Sequence, residues 1–286
     1  MAAFGLVTIP THYSIQPADL ARWAEESGFE SLFFGEHSHI PTSRKTPFPL
    51  GGELPMYYSE FYDPFVGLTA AAAVTHTLKI GTSVCLVPEH NPINLAKSTA
   101  CLDRVSNGRF LFGIGAGWNA EEMGDHGIAF RDRWKQTRER VLAIREIWTR
   151  DEAEFHGQFV DFDPIWCWPK PVQAGGPPIL MGADSKWSPK RIAEYCDGWI
   201  PIDRPDLASG LAAVREQMEQ HGRSMDQFDL SVITGKAFAG ENSLESRVEE
   251  LLSVRANRIL FLIEPDQSDT QWPVLERHAK LIVTFE

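Results

Sequence analysis

Residues 112–119 read FGIGAGWN, with glycines at 113, 115 and 117 directly after the apolar run Phe110-Leu111-Phe112. Alternate glycines at the end of a strand mean that backbone comes close to something bulky, either a ligand or another segment of the chain. The dinucleotide fingerprint uses glycines this way, but it needs a further glycine after two intervening residues, opening a helix that carries a pyrophosphate. That position is Trp118, so the strict pattern fails. A doubly wound sheet would also need a phosphate loop after its first strand, and the residues following Ile9 are PTHYS.

Outward from this stretch, strand-like and helix-like segments alternate with little interruption. Strands are expected at 4–9, 31–36, 79–87, 110–115, 178–182, 198–202, 230–234 and 259–263. Helices are expected at 17–27, 63–75, 92–105, 131–149, 189–196, 206–221, 244–255 and 272–282, several with proline in the first turn or glycine at the exit. Eight strand and helix pairs in a chain of this length match a (β/α)8 barrel, whose usual size is about 250 residues. A polar, proline-rich excursion at 38–62 and a hairpin at 153–163 around His156-Gly157 are insertions outside that count. No linker breaks the pattern, so residues 1–286 are expected to form one domain.

Hydrophobic residues make up 43% of the chain, ample for a large core, and no apolar run approaches the roughly 18 residues of a membrane span. The start MAAFGLVTIP lacks the regions of a signal peptide, which predicts a cytoplasmic protein. A formal charge of −12 argues against nucleic acid as a partner, because phosphate contacts dominate that affinity. The four cysteines, Cys85, Cys101, Cys167 and Cys196, form no CxxC pair and read as ordinary buried residues.

In a barrel, the carboxyl ends of the strands face the active site. These ends carry Glu36-His37-Ser38-His39, the run from Gly81 to Cys85, the glycines, and Gly182-Ala183-Asp184-Ser185. Small residues on several walls leave room for a broad planar ligand. Ser185, Lys186, Lys190 and Arg191 stand where a helix terminus would bind an anion, so a phosphate-bearing ring cofactor fits. The bland reading is that the glycines relieve crowding at the barrel mouth and that Lys190 and Arg191 form a solvated helix face.

The segments FFGEHSHIP (33–41), KIGTSVCLVP (79–88), GRFLFGIGAGWNAEEM (108–123), PPILMGA (177–183) and CDGWIP (196–201) resemble the luciferase-like monooxygenase superfamily in order and spacing. Within it, the chain is most similar to the oxidoreductases that use the deazaflavin coenzyme F420. The resemblance implies a (β/α)8 TIM barrel of the bacterial luciferase-like type with insertions, transferring hydride between coenzyme F420 and a small, fairly apolar organic substrate. FMN is the alternative cofactor and would make a monooxygenase plausible. A homodimer is common in the superfamily.

The same resemblance implies a non-prolyl cis peptide between Ser83 and Val84, bulging against the ring of the cofactor. Gly115 and Gly117 would let the fourth strand approach that ring, Trp118 and Asn119 would begin the wall beyond, and the phosphate would lie against Gly182, Ala183 and the segment to Ser188. Glu36 and His37 match an acidic residue and a histidine beside the ring, and both are expected to be catalytic and cofactor-binding. Histidine suits proton exchange because its ordinary pKa is about 6.5.

One departure narrows the substrate. Sugar-phosphate dehydrogenases of the deazaflavin branch carry a glutamate proton donor just after the strand-four glycines, where this chain has Trp118, and their phosphate-clamping lysines lack clear equivalents. Glucose-6-phosphate is therefore not expected, and Tyr57, Tyr58, Phe61, Trp118, Trp166 and Trp168 suggest a less polar substrate. Two readings of other classes are a metal-dependent hydrolase built on Glu36, His37 and His39, and a cofactor-binding protein that has lost catalysis. The first lacks further ligands at strand ends beyond Asp184 and Asp203, so no metal is expected.

Overall fold

A computed structural model describes residues 2–235 and 243–285. Strands β1 (Ala3–Thr8), β2 (Ser31–Phe34), β3 (Lys79–Thr82), β4 (Cys85–Leu86) and β5 (Phe110–Gly115) run parallel. An antiparallel hairpin, β6 (Glu152–His156) with β7 (Asp161–Trp166), precedes β8 (Ile179–Met181), β9 (Gly198–Trp199), β10 (Asp229–Thr234) and β11 (Arg258–Ile263). β11 returns to β1 with Ile263 opposite Thr8, and β3 pairs with β5, so the sheet closes into a barrel of eight staves. β4 continues the third stave beyond a break. The expected fold is the observed one.

Helices α1 (Pro17–Glu26), α2 (Pro64–Ala73), α3 (Pro92–Val105), α4 (Ala120–Asp125), α5 (Arg133–Thr149), α6 (Ser188–Tyr195), α7 (Leu207–Gln220), α8 (Leu244–Ser253) and α9 (Ser268–Val283) connect the strands. Proline occupies the first turn of α1, α2, α3 and α6, where a missing N–H costs nothing. Asp63, Asn91 and Ser243 cap α2, α3 and α8 by accepting amide hydrogens of the first turn. Among the described residues, no helix is long and apolar enough to cross a membrane.

The core has two layers. Phe34, Phe110 and Phe112 fill the space between strands and helices, while Val7, Phe33, Leu111, Leu180, Ile200 and Leu260 fill the barrel itself. Phe33 fits because Gly81 faces it: a Cβ there would stand 2.3 Å from its ring. At the amino ends of the strands, buried Arg258 pairs with Glu30 at 2.7 Å and Asp229 at 2.9 Å, closing the floor. The side chains that fill the middle and floor leave the open end at the carboxyl termini.

Three expectations need correction. The run 79–87 is not one strand: a cis peptide joins Ser83 to Val84, the chain resumes as β4, and Val87–Glu89 turns as a 3-10 helix. The sixth stave is only Gly198–Trp199, with Ile202 bridging Ile233 alone. A separate helix, α4, stands between the glycines and α5. The hairpin does lie outside the ring, fixed to α5 where the Glu139 carboxylate accepts the amides of Gln158, Phe159 and Val160.

Candidate active site

At the carboxyl ends of the strands lies a cavity of about 550 Å³, within the usual range for small-molecule sites. Val84 forms a ridge in it, between β5 and β8. A Cβ on Gly115 would meet Val84 Cγ2 at 2.6 Å, and one on Gly182 would meet its Cγ1 at 2.2 Å. Deeper in the barrel Gly113 is needed for the same reason, since a Cβ there would stand 1.8 Å from the Thr82 carbonyl oxygen. That oxygen belongs to the residue whose hydroxyl donates to the Gly113 carbonyl at 2.7 Å.

The alternate glycines are therefore explained first by contact within the chain. They admit the bulge at the end of the third stave, as the bland reading had it. Gly117 differs: its φ is +75°, and a side chain there would run into Met123 of α4 at 2.4 Å rather than project into the cavity. The backbones of Gly115 and Gly117 still line the cavity, as do Glu36, His37, Ser83, Val84, Trp118, Gly182 and Ala183.

Asn119 and Ser188 stand apart from that lining. Asn119 is buried at the start of α4 with both amide atoms unpartnered among the described residues. Ser188 opens α6, and its hydroxyl accepts the Ser185 amide at 3.0 Å, so it organises the turn after β8. Beside it, Ser185, Lys186 and Arg204 line a second cavity of about 380 Å³ that shares Asp184 and Ser185 with the first. Arg191, expected at an anion site, instead lies over the Trp134 ring at 4.1 Å.

His37 is held from both sides. Its Nδ1 lies 2.7 Å from Glu122 Oε2, and its Nε2 accepts the Trp118 indole N–H at 3.1 Å. Rings of Tyr58, Phe61 and Trp118 surround it at centroid distances of 5.4, 5.3 and 5.6 Å. Tyr57 stacks on Tyr58 from outside the cavity. Trp166 and Trp168, at 81% and 55% exposed, also lie outside its lining, so the substrate wall expected of them is not there.

Glu36 points differently. Its oxygens accept the Leu86 amide at 2.5 Å and His90 Nε2 at 2.8 Å, tying the second stave to the third. Burial alone would raise its pKa, but the His90 and Leu86 hydrogen bonds hold it below the ordinary value. With Cys85 these residues form a compact Glu-Cys-His group, whereas the metal reading required Glu36, His37 and His39. Its carboxylate is already satisfied by hydrogen bonds, and burial pushes the Cys85 thiol up, away from the thiolate a metal would take. Glu89 lies close by, pushed up to about 9 by burial and then by the charges of Glu122 and Glu36.

Glu122, Glu89 and His90 were missed at the level of sequence, although AEEM and PEH stand inside or beside the segments that carry the resemblance. Their place inside or next to those segments was the only signal the sequence offered. Thr8, Leu86 and Arg133 also line the cavity and were not singled out.

An eight-stave barrel with an apolar cavity at the strand ends, a ridge on the third stave and a tethered histidine on the second defines a luciferase-like TIM-barrel protein. The chain belongs to the luciferase-like monooxygenase family, whose sequence pattern matches residues 15–279. It is 43% identical over 204 residues to an uncharacterised protein of Mycobacterium tuberculosis, covering 70% of this chain and 72% of that one. It is 31% identical over 221 residues to an F420-dependent glucose-6-phosphate dehydrogenase of Nakamurella multipartita, covering 74% of this chain and 60% of the relative. The coenzyme F420 dependent tetrahydromethanopterin reductase of Methanopyrus kandleri shares the fold with a TM-score of 0.72 at 17% identity, covering 98% of this chain and 97% of that structure.

Proposed function

We propose that this protein transfers hydride between coenzyme F420 and a small, fairly apolar organic substrate at the barrel mouth, with His37 exchanging the accompanying proton. The observation that carries the reading is the meeting of two surfaces in one cavity. One is formed by Val84 with the bare backbone of Gly115 and Gly182, the other by His37 with the rings of Tyr58, Phe61 and Trp118. A flat tricyclic ring fits the first surface and leaves the second for substrate.

When bound, the deazaflavin supplies a carbon centre that gives or takes hydride. The chain's own residues do the rest. The aromatic wall excludes water from the reacting region, and His37 offers a ring nitrogen for the proton. The turn from Gly182 to Ser185 offers backbone and hydroxyl groups to a phosphate. Likeness to an F420-dependent dehydrogenase supports the deazaflavin over FMN, while Trp118 in place of an acid argues against a sugar phosphate.

Titration of the cofactor-free protein with coenzyme F420 and with FMN, followed by fluorescence, tests this reading. Saturable binding of coenzyme F420, with FMN weaker by about tenfold or more, is expected. Tighter binding of FMN would turn the reading to a flavin-dependent monooxygenase, and binding of neither would overturn it.

A further inference from the structure

We infer that Glu122 is a positioning residue of this site: it fixes His37 as the tautomer with hydrogen on Nδ1, so that Nε2 presents a lone pair to a hydrogen-bond donor in the cavity. What that lone pair serves rests on the function proposed above; the tautomer itself does not.

Two hydrogen bonds agree on the assignment. A neutral ring that accepts at Nε2 carries its hydrogen on Nδ1, and Glu122 Oε2 stands 2.7 Å away to accept it. An indole N–H only donates, so the 3.1 Å contact from Trp118 leaves His37 Nε2 bare. Glu122 is itself fixed, because its second oxygen accepts the Ser38 amide at 3.1 Å and its side chain is 1% exposed. One carboxylate thus clamps both the ring and the backbone at the exit of β2.

Glu36 faces His90, and Glu89, between the two pairs, keeps its proton at neutral pH because burial and both carboxylates push it up to about 9. His126 approaches Glu89 at 3.6 Å, and His39 with Asp125 leads outward from Ser38 to the surface.

The consequence is a substrate class. The Trp118 indole N–H stands where a ligand's O–H or N–H would sit, so a molecule that seats against His37 must replace that donor with its own. An alcohol would meet that need: His37 Nε2 would accept its hydroxyl proton, while a bound deazaflavin would supply the hydride acceptor. Glu122 balances the charge His37 gains. A carbonyl substrate would meet a lone pair unless His37 were already protonated.

The test is a long-range proton–nitrogen correlation spectrum of protein labelled with 15N-histidine, recorded without cofactor, with His37→Asn assigning the resonances. The expected spectrum shows His37 Nδ1 protonated and Nε2 bare. In Glu122→Ala this fixed state should be lost, giving Nε2–H or an average of both tautomers. Glu122→Gln keeps the size but offers one acceptor to the two donors, so it should disturb the Nδ1–H form less than Glu122→Ala does. A wild-type spectrum with hydrogen on Nε2 overturns the inference, as does an unchanged tautomer in Glu122→Ala. The wild-type spectrum stays decisive if that variant does not fold. No cofactor enters these spectra, so a failed cofactor titration would leave the tautomer result standing.

Discussion

Three carboxyl groups meet beneath the cavity, and only two of them face a histidine at hydrogen-bond distance. Glu36 has His90 and Glu122 has His37, while Glu89 Oε1 has no hydrogen-bond partner among the described residues. The unfolded chain releases the Glu89 proton near its ordinary value of 4.5, the folded chain near 9. Between those values the folded state holds an extra proton, so this residue's contribution falls as pH rises and is least unfavourable below 4.5. Glu89→Gln mimics the protonated acid without that dependence. Its stability relative to wild type should rise from pH 5 to pH 8, by roughly 1 to 3 kcal/mol, read from thermal unfolding. A difference that stays constant across that range would contradict the burial argument. Glu36 and His37 were legible in the sequence because they end a strand in a recognisable segment. Glu122 and Glu89 were not, because an acid in a first helical turn ordinarily reads as a solvated partner of the helix dipole.

Between elements, the junction from β5 to α4 shows what sequence can and cannot say. The spacing of Gly113, Gly115 and Gly117 announced a close approach, yet for Gly113 and Gly115 the object approached was the end of the third stave, some thirty residues earlier. A strand's neighbours are set by sheet pairing, which local pattern does not contain. α4 went unseen because six residues with a glycine at 124 are too short to display a helical period. Gly117 is required by its φ of +75°, which side chains rarely adopt, and a Cβ there would also press on the end of the Met123 side chain. Gly117→Ala should therefore destabilise the cofactor-free protein by about 1 kcal/mol or more. An alanine variant that melts like wild type while losing coenzyme F420 would show instead that the glycine serves the ligand directly.

At the scale of the whole molecule, the alternation of strands and helices was enough to count eight staves, since each segment carries its own period and end signals. Closure was not legible in the same way. It depends on Thr8 meeting Ile263, on Phe33 filling space above Gly81, and on Arg258 bridging Glu30 and Asp229, all contacts between distant parts of the chain. Those contacts fill the floor and middle of the barrel and leave its mouth as the place where a ring can lie. The central claim is that a deazaflavin occupies that mouth against Val84, and the most direct measurement is a crystal structure of the protein soaked with coenzyme F420. The account predicts tricyclic density packed on Val84 between Gly115 and Gly182, with His37 and Trp118 facing the open side of the ring. Density for the ring anywhere else, or an empty mouth under conditions where solution titration shows saturation, would contradict it.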